Sequence, residues 1–152
     1  MIDRALAGFL EEGLSIHIGA RDGRLRPSGA RAAAVTVEPD GGHLLVYVPD
    51  LGASRILPDL EATGQAAVSF GRPTDDRASQ VKGIVMSIRQ ATPEERAIIA
   101  AQWQLFLQQL EAIGIPRDIT LGWATWPAVV VRLRVTAVFE QTPGPLAGTP
   151  LA

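Results

Sequence analysis

Hydrophobic residues alternate with polar or small ones along several short segments of this chain, which is the period-two pattern of a half-buried strand. The pattern predicts strands over residues 14–21, 30–38, 43–48, 65–70, 80–90 and 128–140. Residues typical of turns, such as Asp22-Gly23 and the run over 39–42, separate neighbouring segments. Short connections of this kind favour antiparallel neighbours, so the second and third strands are expected to form a hairpin.

Two short helices are predicted in the first half of the chain, over residues 3–12 and 55–63. Ser54 could cap the second of these helices at its start. Pro58 would confine its regular part to one or two turns, and Gly64 would end it.

A long helix over residues 92–113 is predicted most clearly. Thr92 and Glu95 form a capping box, and Pro93 occupies the first helical position. An apolar stripe runs along one side of this helix and consists of Ile98, Ile99, Trp103, Phe106, Leu107, Leu110 and Ile113. Such a stripe indicates core or subunit packing, which is what amphipathic helices usually provide.

Six strands, few helices and short connections predict a mainly β fold, in which a small antiparallel barrel closes and one long helix packs outside. At 152 residues the chain fits a single domain, which we place over residues 1–141. The tail over residues 142–152 contains three prolines and two glycines, so it is predicted to be flexible.

Composition and charge exclude several classes of function. The chain has no cysteine, which removes thiolate catalysis, zinc-thiolate sites and disulfides. The formal net charge of −2 offers no field that attracts nucleic acid. Charged residues interrupt every apolar run before it could span a bilayer, and the N-terminus lacks the basic start of a signal peptide. We therefore expect a cytoplasmic protein without nucleic-acid or membrane partners.

Protein-based catalysis has few candidates in this sequence. There is no glycine-rich nucleotide fingerprint, no Walker lysine motif and no nucleophile elbow. His17 and His43 each stand alone on a predicted strand, so a packed or solvent-facing role is favoured over a metal or base role. If the protein is an enzyme, a cofactor must supply the difficult chemistry, and a redox cofactor fits best.

Basic and hydroxyl side chains occur where they could bind a phosphorylated cofactor. Gln80 and Lys82 are two residues apart on a predicted strand, so their side chains share one face. Arg31 begins the second strand, and Ser54 and Arg55 lie at the expected helix start, where unpaired amides favour an anion. The alternative interpretation is that all of these are solvated surface charges.

The order of four segments resembles the FMN-binding split-barrel proteins of the pyridoxamine 5'-phosphate oxidase-like superfamily. The segments are LSIHIGAR at 14–21, LLVYVPDLGASR at 44–55, LEATGQAAVSF at 60–70 and RASQVKG at 77–83. The resemblance implies a six-stranded antiparallel split β-barrel that forms a homodimer, with the flavin held between the two subunits.

The resemblance also implies which residues hold the phosphate of the flavin. Ser54 and Arg55 occupy the positions of the phosphate ligands that follow the third strand. Arg31 is a looser match for a basic residue of the second strand, and Lys82 could contact the phosphate or the ring edge.

The flavin ring is implied to lie close to four further residues. Gln80 matches the glutamine that lies near the flavin on a long strand, and the main chain of Val48 and Pro49 would lie beside the ring. Trp126 could stack near the flavin from the partner chain.

Two departures separate this chain from vitamin B6 oxidases. The chain ends in a Pro-Gly-rich tail instead of a segment bearing arginine and tryptophan, and residues 32–37 lack the lysine that those enzymes use. The function implied by the resemblance is therefore an FMN-dependent oxidoreductase that acts on a small molecule other than pyridoxamine 5'-phosphate.

Three alternatives remain open from the sequence. The same fold could carry flavin or haem without turnover, or it could use the deazaflavin F420, which also bears a phosphate. In the third alternative the protein is an interaction module, whose barrel and long helix serve only to build a dimer.

Overall fold

Eight antiparallel strands form one curved sheet in the computed structural model, which describes residues 1–151. The strands are β1 Ser15–Arg21, β2 Pro27–Ala32, β3 Ala34–Val37, β4 His43–Pro49, β5 Gln65–Gly71, β6 Ala78–Gln90, β7 Ala128–Glu140 and β8 Pro150–Leu151. The helices are α1 Arg4–Leu10, α2 Asp50–Thr63, α3 Pro93–Ala112 and a 3-10 turn at Arg117–Thr120.

The sheet curls because its two ends come from one continuous piece of chain. The strand order is β2-β1-β5-β6-β7-β4-β3, with β8 paired to β7. β2 pairs with β1 up to Ala32, and the next amide, that of Ala33, already donates to Tyr47 O on β4 at 2.8 Å. The result is an open half-barrel, which confirms the mainly β split-barrel prediction, whereas the expectation that the barrel closes was wrong.

The predicted count of six strands was wrong. The segment over 30–38 changes its partner strand at Ala33 and is two strands, β2 and β3. Pairing of the tail adds the eighth strand, because Leu151 lies opposite Val138 and Pro150 opposite Phe139. The other five predicted strands and the hairpin of β3 and β4 are confirmed.

Alternation along each strand separates an inner face from an outer face. The inner side chains form the main core with α1 and α2, and they include Ile16, Ile18, Val46, Val68, Phe70, Val81, Val131 and Leu133. Their sequence neighbours on β1, β5 and β6 therefore point away from the core, to the outside of the half-barrel.

Helix α3 packs on the outside against β3, β4 and β7. The capping box of Thr92 and Glu95 is present, as predicted. The predicted stripe is buried in a second core cluster, except at its margins, where Ile98 and Ile113 are exposed.

The free edge of β3 is covered by side chains. Gln102 of α3 is buried; its side chain accepts from Val35 N at 3.1 Å and donates to Val35 O at 2.7 Å. Glu11 accepts from Val37 N at 2.7 Å. These bonds replace a neighbouring strand and satisfy an edge that would otherwise be open to pairing with another chain.

Helix α2 starts five residues earlier than predicted. Its first residue is Asp50, and Pro49 precedes it with no side-chain cap. Pro58 lies inside the helix on its exposed side instead of limiting it. The predicted stop is confirmed, because Gly64 takes the left-handed conformation with φ 63°.

In the chain up to Leu151, no helix combines the length and the apolar character needed to cross a bilayer.

Candidate functional site

Four polar side chains lie in one row across the outer face of four neighbouring strands. In the ladder, Arg31 of β2 lies opposite His17 of β1, His17 lies opposite Ser69 of β5, and Ser69 lies opposite Gln80 of β6. We call these four residues the polar row. They share this face because each alternates with inward apolar neighbours. Gln80 Nε2 donates to Ser69 Oγ at 3.4 Å.

A strip of small residues runs beside the polar row. Two residues further along the same strands, Gly29 lies opposite Gly19, and Gly19 lies opposite Ala67. We call these three residues the floor. The polar row and the floor together line a cavity of about 510 Å³. This size falls within the range of small-molecule sites. The absence of bulky side chains on the floor leaves a flat surface with polar groups along one side.

Lys82 extends the site along the same face. It lies opposite Ala67 and lines an adjoining cavity of about 490 Å³, which shares Gly19 and Ala67 with the first one. Its exposed Nζ lies 4.8 Å from the ring centre of Phe139. Arg21 also lines this second cavity. The predicted common face of Gln80 and Lys82 is confirmed by their register, and Gly83 approaches the neighbouring strand β7 closely.

Arg31 is the cation of the polar row, and it is held by aromatic rings. Its Cζ lies 4.8 Å from the ring centre of Trp123 and 5.5 Å from that of Phe106. Partial burial lowers the pKa of the guanidinium from its usual value. Within residues 1–151, no carboxylate forms an ion pair with it. A half-buried, unpaired guanidinium of this kind is suited to bind an anion.

His17 lies opposite this cation on β1, and the pKa of its imidazole is shifted. Partial burial and then the charge of Arg31 lower the pKa of His17 below its ordinary value of 6.5. The imidazole is therefore mainly neutral at pH 7 and can both donate and accept a hydrogen bond.

Val48 and Pro49 lie at the end of β4, where the chain enters α2. The side chain of Val48 is fully buried in the main core, so only its backbone could serve a ligand. Pro49 lines a smaller cavity of about 220 Å³ together with Arg31, Gly52 and Trp123. Arg31 thus lines one cavity with the predicted Pro49 and another with Gln80.

Ser54 and Arg55 do not occupy a helix start. They are the fifth and sixth residues of α2, and the Ser54 hydroxyl donates to Leu51 O at 3.2 Å inside the helix. The prediction that Ser54 caps the helix and that its terminal amides would attract a phosphate there was wrong. Both side chains are exposed and line none of the cavities described above. Their role as phosphate ligands stays a prediction.

Trp126 lies apart from the polar row. Its half-buried ring packs against the second core cluster, and Arg96 Cζ lies 5.4 Å from the ring centre. Of the two aromatic residues beside Arg31, Phe106 belongs to the predicted stripe of α3, whereas Trp123 was not singled out from the sequence. Ser69 was also missed, and His17 was favoured only as a packed or solvent-facing residue; the alternation of β1 and β5 was the signal that could have placed both.

A separate acidic cluster at the start of β4 is already satisfied by the protein. Glu38, Asp40 and His43 bring their ligand atoms within 4.8 Å of one another. However, Arg132 binds both oxygens of Glu38 at 2.7 and 2.8 Å, and His43 Nδ1 lies 2.8 Å from Asp40 Oδ2. These bonds account for the cluster without a metal ion.

No protein-family model matches the chain, and no curated protein sequence matches it. Solved structures do match over nearly the whole chain. HupZ of Group A Streptococcus is 15% identical, with a TM-score of 0.57, covering 97% of this chain and 100% of its own.

Two further structures agree with this match. A candidate pyridoxamine 5'-phosphate oxidase from Lactobacillus delbrueckii is 13% identical, with a TM-score of 0.54 and coverage of 91% and 93% of the two chains. An F420 reductase is 19% identical, with a TM-score of 0.53 and coverage of 86% and 93%. Identities this low establish the fold alone: the chain has the split-barrel fold of the pyridoxamine 5'-phosphate oxidase-like proteins.

Proposed function

We propose that the protein is an FMN-binding oxidoreductase whose flavin ring lies over the floor, with the polar row along its edge. The observation that carries this proposal is the cavity that Arg31 and Gln80 share. A flat, small-residue surface accommodates a planar ring, and the amide of Gln80 can both donate to and accept from the polar edge of that ring.

The side chains around the cavity also fit redox chemistry better than hydrolysis. Its lining contains no carboxylate and no nucleophile paired with a base; Ser69 is bonded to Gln80 instead of to His17. A flavin accepts a hydride at its own N5, so the protein needs to supply only binding and orientation. Arg31 would supply positive charge beside the ring, which gains negative charge when it is reduced.

Arg55 and Ser54 are proposed to hold the phosphate. Arg55 is exposed on α2, and no ion pair within residues 1–151 engages its guanidinium. Helix α2 packs closely on β2, since a Cβ at Gly52 would lie 3.2 Å from Ala30 Cβ. The arginine is therefore carried by an element anchored beside Arg31, and the phosphate is proposed to bind along this helix.

A second copy of the chain is proposed to cover the flavin. Large apolar side chains are exposed around the smaller cavity: Leu51 is 80% exposed at its rim, and Leu121 is 82% exposed in the segment that leads to Trp123. Burial of such residues against a partner would stabilise a homodimer and would close the site from water.

F420 is the second candidate cofactor, and the adjoining cavity favours it. Lys82 and Arg21 line this cavity, so basic groups continue past the end of the polar row. A deazaflavin with a longer anionic tail would have a use for these groups. The similarity in fold to an F420 reductase supports the same possibility.

The purified protein tests the proposal directly. A yellow preparation with an absorption band at about 450 nm is expected for bound flavin. Mass spectrometry of the released cofactor distinguishes FMN from F420. Bleaching of the band by NADH or NADPH without oxygen would show that the bound flavin accepts a hydride, as an oxidoreductase requires. A colourless protein that takes up neither cofactor would contradict the proposal, and a band that neither NADH nor NADPH bleaches would favour a carrier.

A further inference from the structure

A fourth cavity, mostly apolar, lies on the other side of Arg31. Its volume is about 530 Å³, and Arg31 is the one residue that it shares with the cavity of the polar row. The rest of its wall is mostly hydrophobic and includes Phe106, Leu110, Ile115, Trp123, Pro73 and Pro143. We call it the apolar cavity, and its size is typical of sites for small organic molecules.

Within residues 1–151, Arg31 is the one cation of this wall that no carboxylate pairs with. Arg72 lies in the wall, but its guanidinium binds Glu12 Oε1 and Asp75 Oδ2, each at 2.7 Å. Asp76 is exposed on the turn after Asp75. Arg31 is half-buried, and within residues 1–151 no hydrogen bond or ion pair engages its guanidinium. It therefore faces the cavity with its donors unused.

Two aromatic rings lie beside the guanidinium of Arg31 and restrict how it can bind a ligand. Its guanidinium lies against the rings of Trp123 and Phe106, at 4.8 and 5.5 Å. The N–H donors lie at the edge of the planar guanidinium, where they match the two oxygens of a carboxylate. The same two rings offer apolar surface beside that edge, so one ligand can contact both.

We propose that the apolar cavity binds a small aromatic monocarboxylate, with its carboxylate on Arg31 and its ring against Trp123 and Phe106. A neutral ligand would leave the donors of Arg31 unpaired, and a ligand with little apolar surface would leave Trp123, which is 40% exposed, in water. The site goes beyond the flavin proposal, because it takes a different ligand on an apolar wall outside the polar row, and Arg31 is the residue that the two cavities share.

Calorimetric titration of the full chain tests this site with two probes that share one ring system, 2-naphthoate and the neutral 2-naphthylmethanol. The acid is expected to bind at least about tenfold more tightly than the alcohol, because only the acid forms charge-assisted hydrogen bonds. No binding of the acid, or equal binding of the two probes, would overturn the site. This comparison uses the unmodified protein, so it decides the matter even if variants fold poorly.

Variants then assign the binding to Arg31 and Trp123. R31Q is expected to lower the affinity for the acid at least about tenfold and to leave the affinity for the alcohol within about threefold. W123L should lower the affinity for both probes. R96Q is the matched control, because Arg96 also stacks on a tryptophan, Trp126, but lies outside the apolar cavity. Unchanged affinity for the acid in R31Q, or an equal loss in R96Q, would reject the assignment.

Experiments can reject the flavin proposal and the ligand proposal for the apolar cavity independently of each other. A chain that binds 2-naphthoate through Arg31 but takes up neither FMN nor F420 retains the apolar cavity and loses the proposed function. A flavin-loaded chain that discriminates poorly between the two probes retains the proposed function and loses the apolar site.

Discussion

Arg31 and Gln80 line one cavity although they lie on β2 and β6, with the strands β1 and β5 between them. The antiparallel register places them at the two ends of a single row that passes through His17 and Ser69. A slip by one residue in any of these strands would send its side chain to the core face instead. The geometry of the candidate site is therefore set by the same alternation that builds the core.

The phosphate assignment predicts a loss of FMN affinity in Arg55→Ala. Removing a charge-assisted hydrogen bond worth about 1.5–3 kcal/mol should weaken binding by about tenfold or more. Fluorescence titration of FMN measures the effect, and Arg24→Ala, at an exposed arginine in the turn between β1 and β2, is the control. Equal affinity in Arg55→Ala and in the wild type would remove Arg55 from the site.

The two hydrogen bonds of Gln102 at the edge of β3 predict that Gln102→Leu destabilises the fold strongly. This change leaves the buried N–H and C=O of Val35 without partners, at about 1–3 kcal/mol for each group. Urea denaturation should show the loss, whereas Gln108→Leu, on the exposed side of the same helix, should change stability by less than about 0.5 kcal/mol. Similar midpoints for the two variants would show that the edge tolerates the loss of these bonds.

A pair of glycine substitutions tests the close contact of β6 with β7. A Cβ at Gly83 would lie 2.8 Å from Arg134 O, beside a register shift in the ladder, so Gly83→Ala should destabilise the fold by about 1–3 kcal/mol. Gly8 lies inside α1 with no atom within 4 Å of an added Cβ. Gly8→Ala should therefore stabilise the fold by about 0.5–1 kcal/mol. Thermal unfolding distinguishes these opposite signs, and a stable Gly83→Ala would contradict the packing.

The lowered pKa of His17 predicts that the stability of the fold depends on pH. Its pKa in the folded chain lies below 6.5, first because of partial burial and then because of Arg31. The unfolded chain therefore takes up this proton first as the pH falls, and stability decreases from about pH 6.5 downward until the folded pKa is passed. NMR titration should give a low midpoint for His17, assigned with a His17→Gln variant.

Removal of the neighbouring charge separates the two causes of that shift. Arg31→Gln should raise the pKa of His17 while leaving it below the ordinary value, because partial burial, the larger cause, remains. An unchanged midpoint in Arg31→Gln would show that the two groups do not interact.

Most of the fold was predictable because its signals are local. The capping box of Thr92 and Glu95 and the alternation of the strands are readable from neighbouring residues, and both are confirmed. The change of partner strand at Ala33 was not readable, since it depends on which distant strand pairs with each half of the segment. The start of α2 was missed because Pro49 ends a strand and begins a helix with no side-chain cap.

The candidate site was predictable only in part, for a related reason. Gln80 and Lys82 could be placed on one face because they are two residues apart on one strand. The pairing of Arg31 with His17 needed the register of β1 and β2, and its contact with Trp123 needed the packing of a loop without regular pattern. Residues brought together by register or by loop packing leave no local signal in one sequence.

Fluorescence titration of FMN against the wild type and an Arg31→Ala/Gln80→Leu double variant tests the central claim most directly. The wild type is expected to quench FMN with saturation, and the double variant should bind at least about tenfold more weakly, because it loses a charged and a neutral hydrogen bond at the same cavity. Circular dichroism of the double variant controls for folding. A wild type that does not bind FMN, or a folded double variant that binds it equally well, would contradict a flavin site on the outer face of β2, β1, β5 and β6.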